Sequence, residues 1–175
     1  MTLNANRRVA MYAGVAALAA IAGAGVAWKR QVLDAMSPQA LAALWAAEFD
    51  TPAGETFSMK ALQGRPLVIN FWATWCTPCI EEMPLIDAFF RENVSKGWQV
   101  LGLAIDQPSR VRQFLTQFPV NYKIGLAGLN GTELGKMLGN DVGGLPFTVV
   151  LDANGHLIQR KLGKLAPNDI KKWAI

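Results

Sequence analysis

The sequence predicts an α/β domain in which helices cover both faces of a central mixed β-sheet. Two near-continuous apolar runs, at residues 67–73 and 98–105, have the length and branched side chains of strands buried on both faces. A helical segment follows each run, and a hairpin and a last helix come after them. This order of elements is typical of a layered sheet with helices on either side.

Proline and glycine residues mark the boundaries of these elements. The first helix, residues 78–94, contains Pro84, which removes a backbone donor and is expected to kink the helix. Asn154-Gly155 is a strong hairpin signal between two strand patterns. The other predicted elements are a helix at 108–118, a short strand at 122–124, a small helix at 132–138, strands at 147–151 and 156–162, and a last helix from 167.

Length and composition limit the possible classes of protein. A chain of 175 residues suits one globular domain with an appendage. The net charge is +4, and its lysines and arginines are scattered instead of forming a basic stripe with interleaved aromatic residues. Nucleic-acid binding is therefore not supported.

An uncharged apolar segment at residues 9–28 predicts a membrane anchor. Arginines precede it and Lys29-Arg30 closes it, and a helix over it is roughly 30 Å long, which matches a bilayer core. With the arginines inside, the rest of the chain faces the periplasm or its equivalent. The alternative is a cleavable signal peptide with small residues at 22–24 or 25–27. We therefore assign residues 1–30 to an anchor or signal segment, and both readings export the domain.

Ser37-Pro38 predicts the start of a short helix that runs to about Ala47, with the serine as its N-cap. Two short extended pieces are expected at 45–50 and 55–58, on either side of a turn. We assign residues 31–44 to a juxtamembrane helix or linker, and residues 45–175 to the folded domain.

The two cysteines of the chain, Cys76 and Cys79, are separated by two residues. A disulfide across so short a loop adds little stability, so the spacing favours chemistry at the sulfur atoms. A metal site needs about four ligands. The chain has one histidine and no second Cys-x-x-Cys motif, so a metal site is disfavoured.

The cysteine pair lies where a buried strand leads into the N-terminus of a helix. The helix dipole and free N–H groups there favour an anion, so we expect the pKa of Cys76 to lie below that of free cysteine. Pro78 suits the first helical turn. Cys76 is expected to be exposed and Cys79 covered. Cys76 then attacks a substrate disulfide, and Cys79 resolves the mixed disulfide.

Residues 71–84 read FWATWCTPCIEEMP, which resembles the active-site signature of the TlpA/ResA/DsbE branch of thioredoxin-like proteins. The resemblance implies a thioredoxin-like fold from about residue 45 and a redox-active disulfide between Cys76 and Cys79. It also implies a reductant of exported proteins, such as apocytochromes c, that receives electrons from a membrane thiol carrier. With the anchor predicted at residues 9–28, we expect this reductant to be membrane-tethered. We expect a monomer whose substrate is a protein thiol or disulfide, with no cofactor and no metal.

The resemblance extends to the segment Gly144-Leu145-Pro146, which is similar to the cis-proline loop of the family. It implies that Pro146 is cis and lies beside Cys76, and that the backbone of Leu145 binds substrate. The residues alone indicate only a proline that enters a strand, where a turn proline is common. Trp75, Thr77 and Pro78 are the other predicted substrate contacts.

Two polar residues near the motif are candidates for proton chemistry. Asn70 lies in the buried strand, where cytoplasmic thioredoxins have an aspartate, and an amide cannot serve as a base. Glu82 lies one helical turn beyond Cys79 and matches a glutamate that supports the redox pair in the ResA-like branch. Burial would raise its pKa. The alternative is a solvated helix glutamate, which is the interpretation we give Glu81.

The tryptophans Trp72 and Trp75 are expected to flank the site, although aromatic residues at such positions are as often part of a core. The direction of electron flow and the specific substrate stay open, because reductants and oxidants share this fold and motif.

The main competing function is an SCO-like copper chaperone of thioredoxin fold. Such proteins use two cysteines and a distant histidine, here His156, but usually have three residues between the cysteines. We expect His156 to be an exposed residue at the end of the hairpin turn. A peroxiredoxin is a weaker alternative, because that family has threonine where this chain has Ala73.

Overall fold

The computed structural model describes residues 36–173, which form a seven-stranded mixed sheet with helices on both faces. The order of strands across the sheet is β2-β1-β5-β4-β3-β6-β7. The strands are β1 (Glu48–Asp50), β2 (Thr56–Ser58), β3 (Leu67–Trp72), β4 (Gln99–Ala104), β5 (Lys123–Leu126), β6 (Phe147–Leu151) and β7 (Leu157–Leu162). The central mixed sheet predicted from the sequence is confirmed.

Five helices accompany the sheet in the described part of the chain. They are α1 (Pro38–Ala46), α2 (Thr77–Asn93), α3 (Pro108–Gln117), α4 (Gly128–Met137) and α5 (Pro167–Ile170). Two short 3-10 turns, Met59–Leu62 and Val94–Lys96, complete the regular structure. Helix α2 continues through Pro84.

Strand β3 lies at the centre of the domain. It pairs in parallel with β4 and antiparallel with β6, and all six of its residues are buried. Alternate side chains of a strand point to opposite faces, so Leu67, Ile69 and Phe71 pack into one cluster of the core. Val68 and Trp72 pack into the cluster on the other face, together with α2. Asn70 shares that second face by its position in the strand.

Helix α1 is part of the folded domain. The Ser37 hydroxyl oxygen accepts a hydrogen bond from the backbone N–H of Ala40 (3.1 Å), as expected for an N-cap. Ala40 and Leu44 are buried in the same cluster as Phe71. The segment assigned to a linker therefore packs on the sheet where it is described. The extended piece expected from residue 45 begins only at Glu48, because the chain is still helical before it.

Helix α4 begins at Gly128, four residues before the helix that the sequence predicts at 132–138. Glycine has a low helix propensity, which weakens the helical pattern of this segment. Close packing against Ile105, which follows β4, explains the glycine at 131, because an added Cβ would lie 3.1 Å from Cγ1 of Ile105. The tertiary contact thus favours a helix that the local sequence does not indicate.

The last helix is short, and the residues after it help to cover one face of the sheet. Trp173 is 2% exposed, and its ring packs edge-on against Phe89 with 5.1 Å between ring centroids. Its indole N–H donates a hydrogen bond to Oε1 of Gln159 (2.7 Å). One large side chain thus provides contacts that a longer helix would otherwise supply.

Between residues 36 and 173, no helix is both long enough and apolar enough to span a bilayer. The predicted anchor at residues 9–28 lies outside the described residues, as does the first part of the predicted linker.

Candidate active site

Cys76 and Cys79 form a disulfide at the N-terminus of α2. The two sulfur atoms are 2.04 Å apart and the two Cα atoms 5.3 Å apart. Cys76 is the N-cap of the helix, and its carbonyl oxygen accepts hydrogen bonds from the N–H groups of Cys79 (3.0 Å) and Ile80 (3.2 Å). The end of a buried strand and the start of a helix therefore fix the geometry of the pair.

The burial of the two cysteines differs in part from the prediction. Cys79 is fully buried, as expected. The expectation that Cys76 is exposed is wrong for this oxidised state, since Cys76 is only 5% exposed. In this state its sulfur is bonded to that of Cys79, which lies inside the core. The neighbouring Trp75 is 63% exposed and Thr77 is also exposed, so the site still meets solvent.

Asp106 joins the redox loop to the end of β4. One of its carboxylate oxygens accepts hydrogen bonds from the backbone N–H (3.0 Å) and the hydroxyl (2.5 Å) of Thr74. The other accepts a bond from the N–H of Gln107 (2.7 Å). Burial opposes ionisation, but these hydrogen bonds outweigh it and hold the pKa of Asp106 below its ordinary value. The ionised carboxylate thus anchors the loop before the cysteines.

Glu82 lies one helical turn beyond Cys79 on α2 and is buried, with 1% of its surface exposed. Its Oε1 accepts a hydrogen bond from the side-chain amide of Asn70 (2.7 Å), and its Oε2 accepts one from the N–H of Leu165 (2.6 Å). Burial raises the pKa of Glu82 above its ordinary value, and these two bonds offset only part of the rise. The positive charges of Lys161 and Lys164 also oppose it.

The nitrogen and the oxygen of the Asn70 side-chain amide differ in their hydrogen bonds. Its nitrogen donates to Glu82 and to the hydroxyl oxygen of Thr148 on β6 (3.0 Å). Its oxygen Oδ1 is buried and has no hydrogen-bond partner among the described residues. If the amide rotated, this oxygen would face Glu82. Asn70 can therefore donate a hydrogen bond to the ionised carboxylate or accept one from the protonated carboxyl.

The loop before β6 contains a cis peptide bond between Leu145 and Pro146, as the family resemblance implies. Pro146 is buried, and its carbonyl oxygen accepts a hydrogen bond from the N–H of Gly163 (2.8 Å). Leu145 is half-buried and packs against the cluster that contains Cys76. Within residues 36–173, neither the N–H nor the carbonyl of Leu145 has a hydrogen-bond partner.

The remaining candidates fall into buried and exposed groups. Trp72 is fully buried and packs against Phe114 with 5.4 Å between centroids, so it belongs to the core and not to the surface of the site. Pro78 is half-buried in the first turn of α2. Glu81 is exposed and its carboxylate lies 2.5 Å from Nζ of Lys164, in agreement with its interpretation as a solvated residue.

His156 is exposed at the hairpin, as predicted, and its Nδ1 lies 3.0 Å from the carboxylate of Asp152. Of the residues that the structure describes, no three His, Cys, Asp or Glu side chains are grouped in a way that suits a metal ion. The arrangement that a copper chaperone needs is therefore not present among them.

Sequence reasoning missed three contributors to the site, Asp106, Thr148 and Leu165. Asp106 has a readable signal, because it lies just after a buried strand whose carboxyl end meets that of its parallel neighbour. Leu165 contributes its backbone N–H, and its residue type gives no sign of this contact.

The domain has a thioredoxin-like sheet, a Cys-x-x-Cys bridge at the start of a helix, and a cis-proline loop. Together these features define a thiol–disulfide oxidoreductase. The chain belongs to the Redoxin family, whose model matches residues 40–173. It is similar to the thiol-disulfide oxidoreductase ResA of Bacillus cereus, with 29% identity over 122 residues, 69% of this chain and 68% of that protein. It is also similar to the thiol:disulfide interchange protein DsbE of Vibrio cholerae, with 34% identity over 113 residues, 63% of this chain and 56% of that protein.

Solved structures agree with this assignment. A thioredoxin-related protein from Neisseria meningitidis serogroup B has 30% identity and a TM-score of 0.64, and the match covers 73% of this chain and 95% of that chain. The dsbF protein of Mycobacterium tuberculosis, solved in mixed oxidised and reduced forms, has 22% identity and a TM-score of 0.64. That match covers 74% of this chain and 94% of the other, and it supports the fold. The protein is therefore a thiol–disulfide oxidoreductase of the ResA/DsbE type.

Proposed function

We propose that the protein is a membrane-tethered, extracytoplasmic reductant of disulfides in exported proteins, and that it acts as a monomer. The observation that carries this proposal is the Cys76–Cys79 bridge at a helix N-terminus, with a buried carboxyl, Glu82, one helical turn further on. Oxidation outside the cytoplasm creates the need for such a reductant.

The reaction follows thiol–disulfide exchange. In the reduced protein, the Cys76 thiolate attacks one sulfur of a substrate disulfide, forms a mixed disulfide and releases the first substrate thiolate. The Cys79 thiol loses its proton, attacks the sulfur of Cys76 and releases the second substrate thiolate. The substrate gains two electrons and the protein pair loses two. A dithiol of a membrane carrier then reduces the Cys76–Cys79 bridge by the same exchange.

Glu82 is the proposed acceptor of the proton that Cys79 loses. Both residues are buried, so Cys79 has no direct access to water as a base. The raised pKa of Glu82 brings it closer to that of a thiol, which favours transfer between them. Asn70 can follow the change in protonation by rotation of its amide.

Substrate binding is assigned to the surface around the bridge. The N–H and carbonyl of Leu145 have no hydrogen-bond partner among residues 36–173 and offer hydrogen bonds to an extended substrate segment. Pro146 follows Leu145 in the same loop. Trp75, exposed over more than half its surface, supplies an apolar platform, and Thr77 and Pro78 line the approach to Cys76.

The tether and the class of substrate rest on sequence and family. The uncharged segment at residues 9–28 has the length of a membrane span and is flanked by basic residues. The similarity to ResA and DsbE supports thiol–disulfide exchange with protein substrates. The proposal that these substrates are apocytochromes c, kept reduced for haem attachment, rests on the resemblance of residues 71–84 to the TlpA/ResA/DsbE signature. Membrane extraction at alkaline pH separates an anchored chain, which stays with the lipid, from a chain released by signal cleavage.

The reduction potential of the Cys76/Cys79 pair in the full-length protein, equilibrated in detergent against thiol buffers, tests the direction of electron flow. A value near or below about −250 mV, towards the thioredoxin end of the range, supports a reductant. A value of about −120 to −180 mV would identify an oxidant or isomerase and contradict the proposal.

A further inference from the structure

The loop that leads to the cis-proline is held by one buried amide, that of Asn140. Asn140 is 4% exposed. Its Nδ2 donates a hydrogen bond to the carbonyl of Gly144 (2.8 Å), and its Oδ1 accepts one from the N–H of Gly144 (3.1 Å). The side chain thus pairs with both polar groups of one residue, as a neighbouring strand would.

The backbone of Asn140 is bonded to helix α4 on one side and to its own loop on the other. Its N–H donates to the carbonyl of Gly135 in α4 (2.9 Å), and its carbonyl accepts from the N–H of Gly143 (2.9 Å). The guanidinium of Arg160, on β7, lies across Gly139, where an added Cβ would be only 2.7 Å from it. The amide of Asn140 is therefore a rigid support and not part of a free loop.

This support acts on the peptide that follows. Gly144 is bonded to Asn140, and the carbonyl of Pro146 is bonded to Gly163, so the residues on both sides of Leu145 are fixed. Of the three consecutive residues Gly144, Leu145 and Pro146, only Leu145 has no hydrogen bond from its backbone within residues 36–173. Its two polar groups are held in a set direction and are available to a partner.

We propose that Asn140 is a positioning residue for substrate binding, because it fixes Gly144 and thereby sets the direction in which the Leu145 backbone meets an extended segment of the substrate. This inference rests on the proposed role of the cis-proline loop. It concerns binding and not the sulfur chemistry, so it predicts a change in KM without a change in the reactivity of Cys76.

The chain offers a matched control in Asn93. This residue is also an asparagine with 4% exposure, and its Nδ2 donates one hydrogen bond to the carbonyl of Phe89 (2.9 Å). It lies at the C-terminal end of α2, whereas the cysteine pair lies at the N-terminal end. Asn93→Ala therefore removes a buried amide without a contact to the loop.

The test measures reduction of a short synthetic peptide with one internal disulfide by the full-length protein, with dithiothreitol as electron donor. Hydroxyethyl disulfide, which has no peptide backbone, is the comparison substrate. The variants are Asn140→Ala, Asn140→Asp and Asn93→Ala. Asn140→Asp keeps the shape of the side chain but loses the donor to Gly144. It tests the same hydrogen bond if the alanine variant does not fold.

We expect both Asn140 variants to raise the KM for the peptide about tenfold, with kcat and the rate with hydroxyethyl disulfide within about twofold of wild type. Asn93→Ala should leave all three values unchanged. An unchanged KM in the folded Asn140 variants, or an equal loss with both substrates, would overturn the inference. Failure of the wild-type protein to reduce the peptide would instead overturn the proposed function.

Discussion

The carboxylate of Glu82 accepts a hydrogen bond from the side-chain amide of Asn70 at 2.7 Å, in the interior of the domain. The contact joins α2, one helical turn beyond Cys79, to the central strand β3. Among residues 36–173, Glu82 is the only carboxyl side chain that is buried. Because Asn70 cannot ionise, Glu82 is the residue that we propose exchanges protons in this part of the core.

Glu82→Gln should change the pH dependence of stability. Folding raises the pKa of Glu82, so its stabilising contribution is complete below the ordinary glutamate pKa of about 4.3 and is lost as the pH rises through the folded value. The free energy of unfolding of the wild type should fall across that interval relative to Glu82→Gln. Denaturant titrations at several pH values measure the difference, and parallel curves for the two proteins would contradict it.

Glu82→Gln should also slow the resolving step by about 100-fold, because the proton of Cys79 loses its acceptor. Rapid-mixing kinetics of the decay of a mixed disulfide at Cys76 measure this rate. Glu81→Gln is the control, since that neighbour is exposed and pairs with Lys164 at the surface. Equal resolving rates in the two variants would remove Glu82 from the mechanism.

Asp106→Asn should destabilise the protein by about 1–2 kcal/mol at neutral pH, because a neutral amide cannot replace the charged acceptor of the Thr74 bonds. The pKa of Asp106 is lowered on folding, so its contribution is present above the ordinary aspartate pKa of about 3.9 and is lost as the pH falls through the folded value. Thermal unfolding at neutral and acidic pH checks both points. A wild type and variant that differ most at acidic pH would refute this account.

Trp173→Ala should cost about 3–5 kcal/mol of unfolding free energy, because the ring is buried against Phe89 and its N–H is bonded to Gln159. Trp75→Ala, at an exposed tryptophan, should change stability by less than about 0.5 kcal/mol. Urea denaturation measures both. Similar losses in the two variants would show that Trp173 does not cover the face of the sheet as described.

The fold and the redox pair are readable from the sequence because their signals are local. The buried strand before Cys76, the short cysteine spacing and the helix after it lie within one continuous segment. A cis bond at Pro146 is not indicated by the residues around it, since such bonds are rare, and it follows only from family resemblance.

The partners of these residues could not be predicted in the same way. Glu82 and Leu165 are 83 residues apart in the chain, and Thr74 and Asp106 are 32 apart. Both contacts use a backbone N–H, which every residue except proline carries, so no side-chain pattern identifies the donor. The burial of Cys76 is likewise not indicated by its position at a helix N-terminus.

The most direct test of the central claim is the site of a trapped mixed disulfide. Full-length Cys79→Ser, reduced and then mixed with the disulfide peptide, should form a stable adduct that peptide mass mapping locates at Cys76. We expect this adduct, and we expect Cys79 to react much more slowly in the reduced Cys76→Ser protein. Adducts that form equally fast at Cys79 would contradict the assignment of Cys76 as the attacking cysteine.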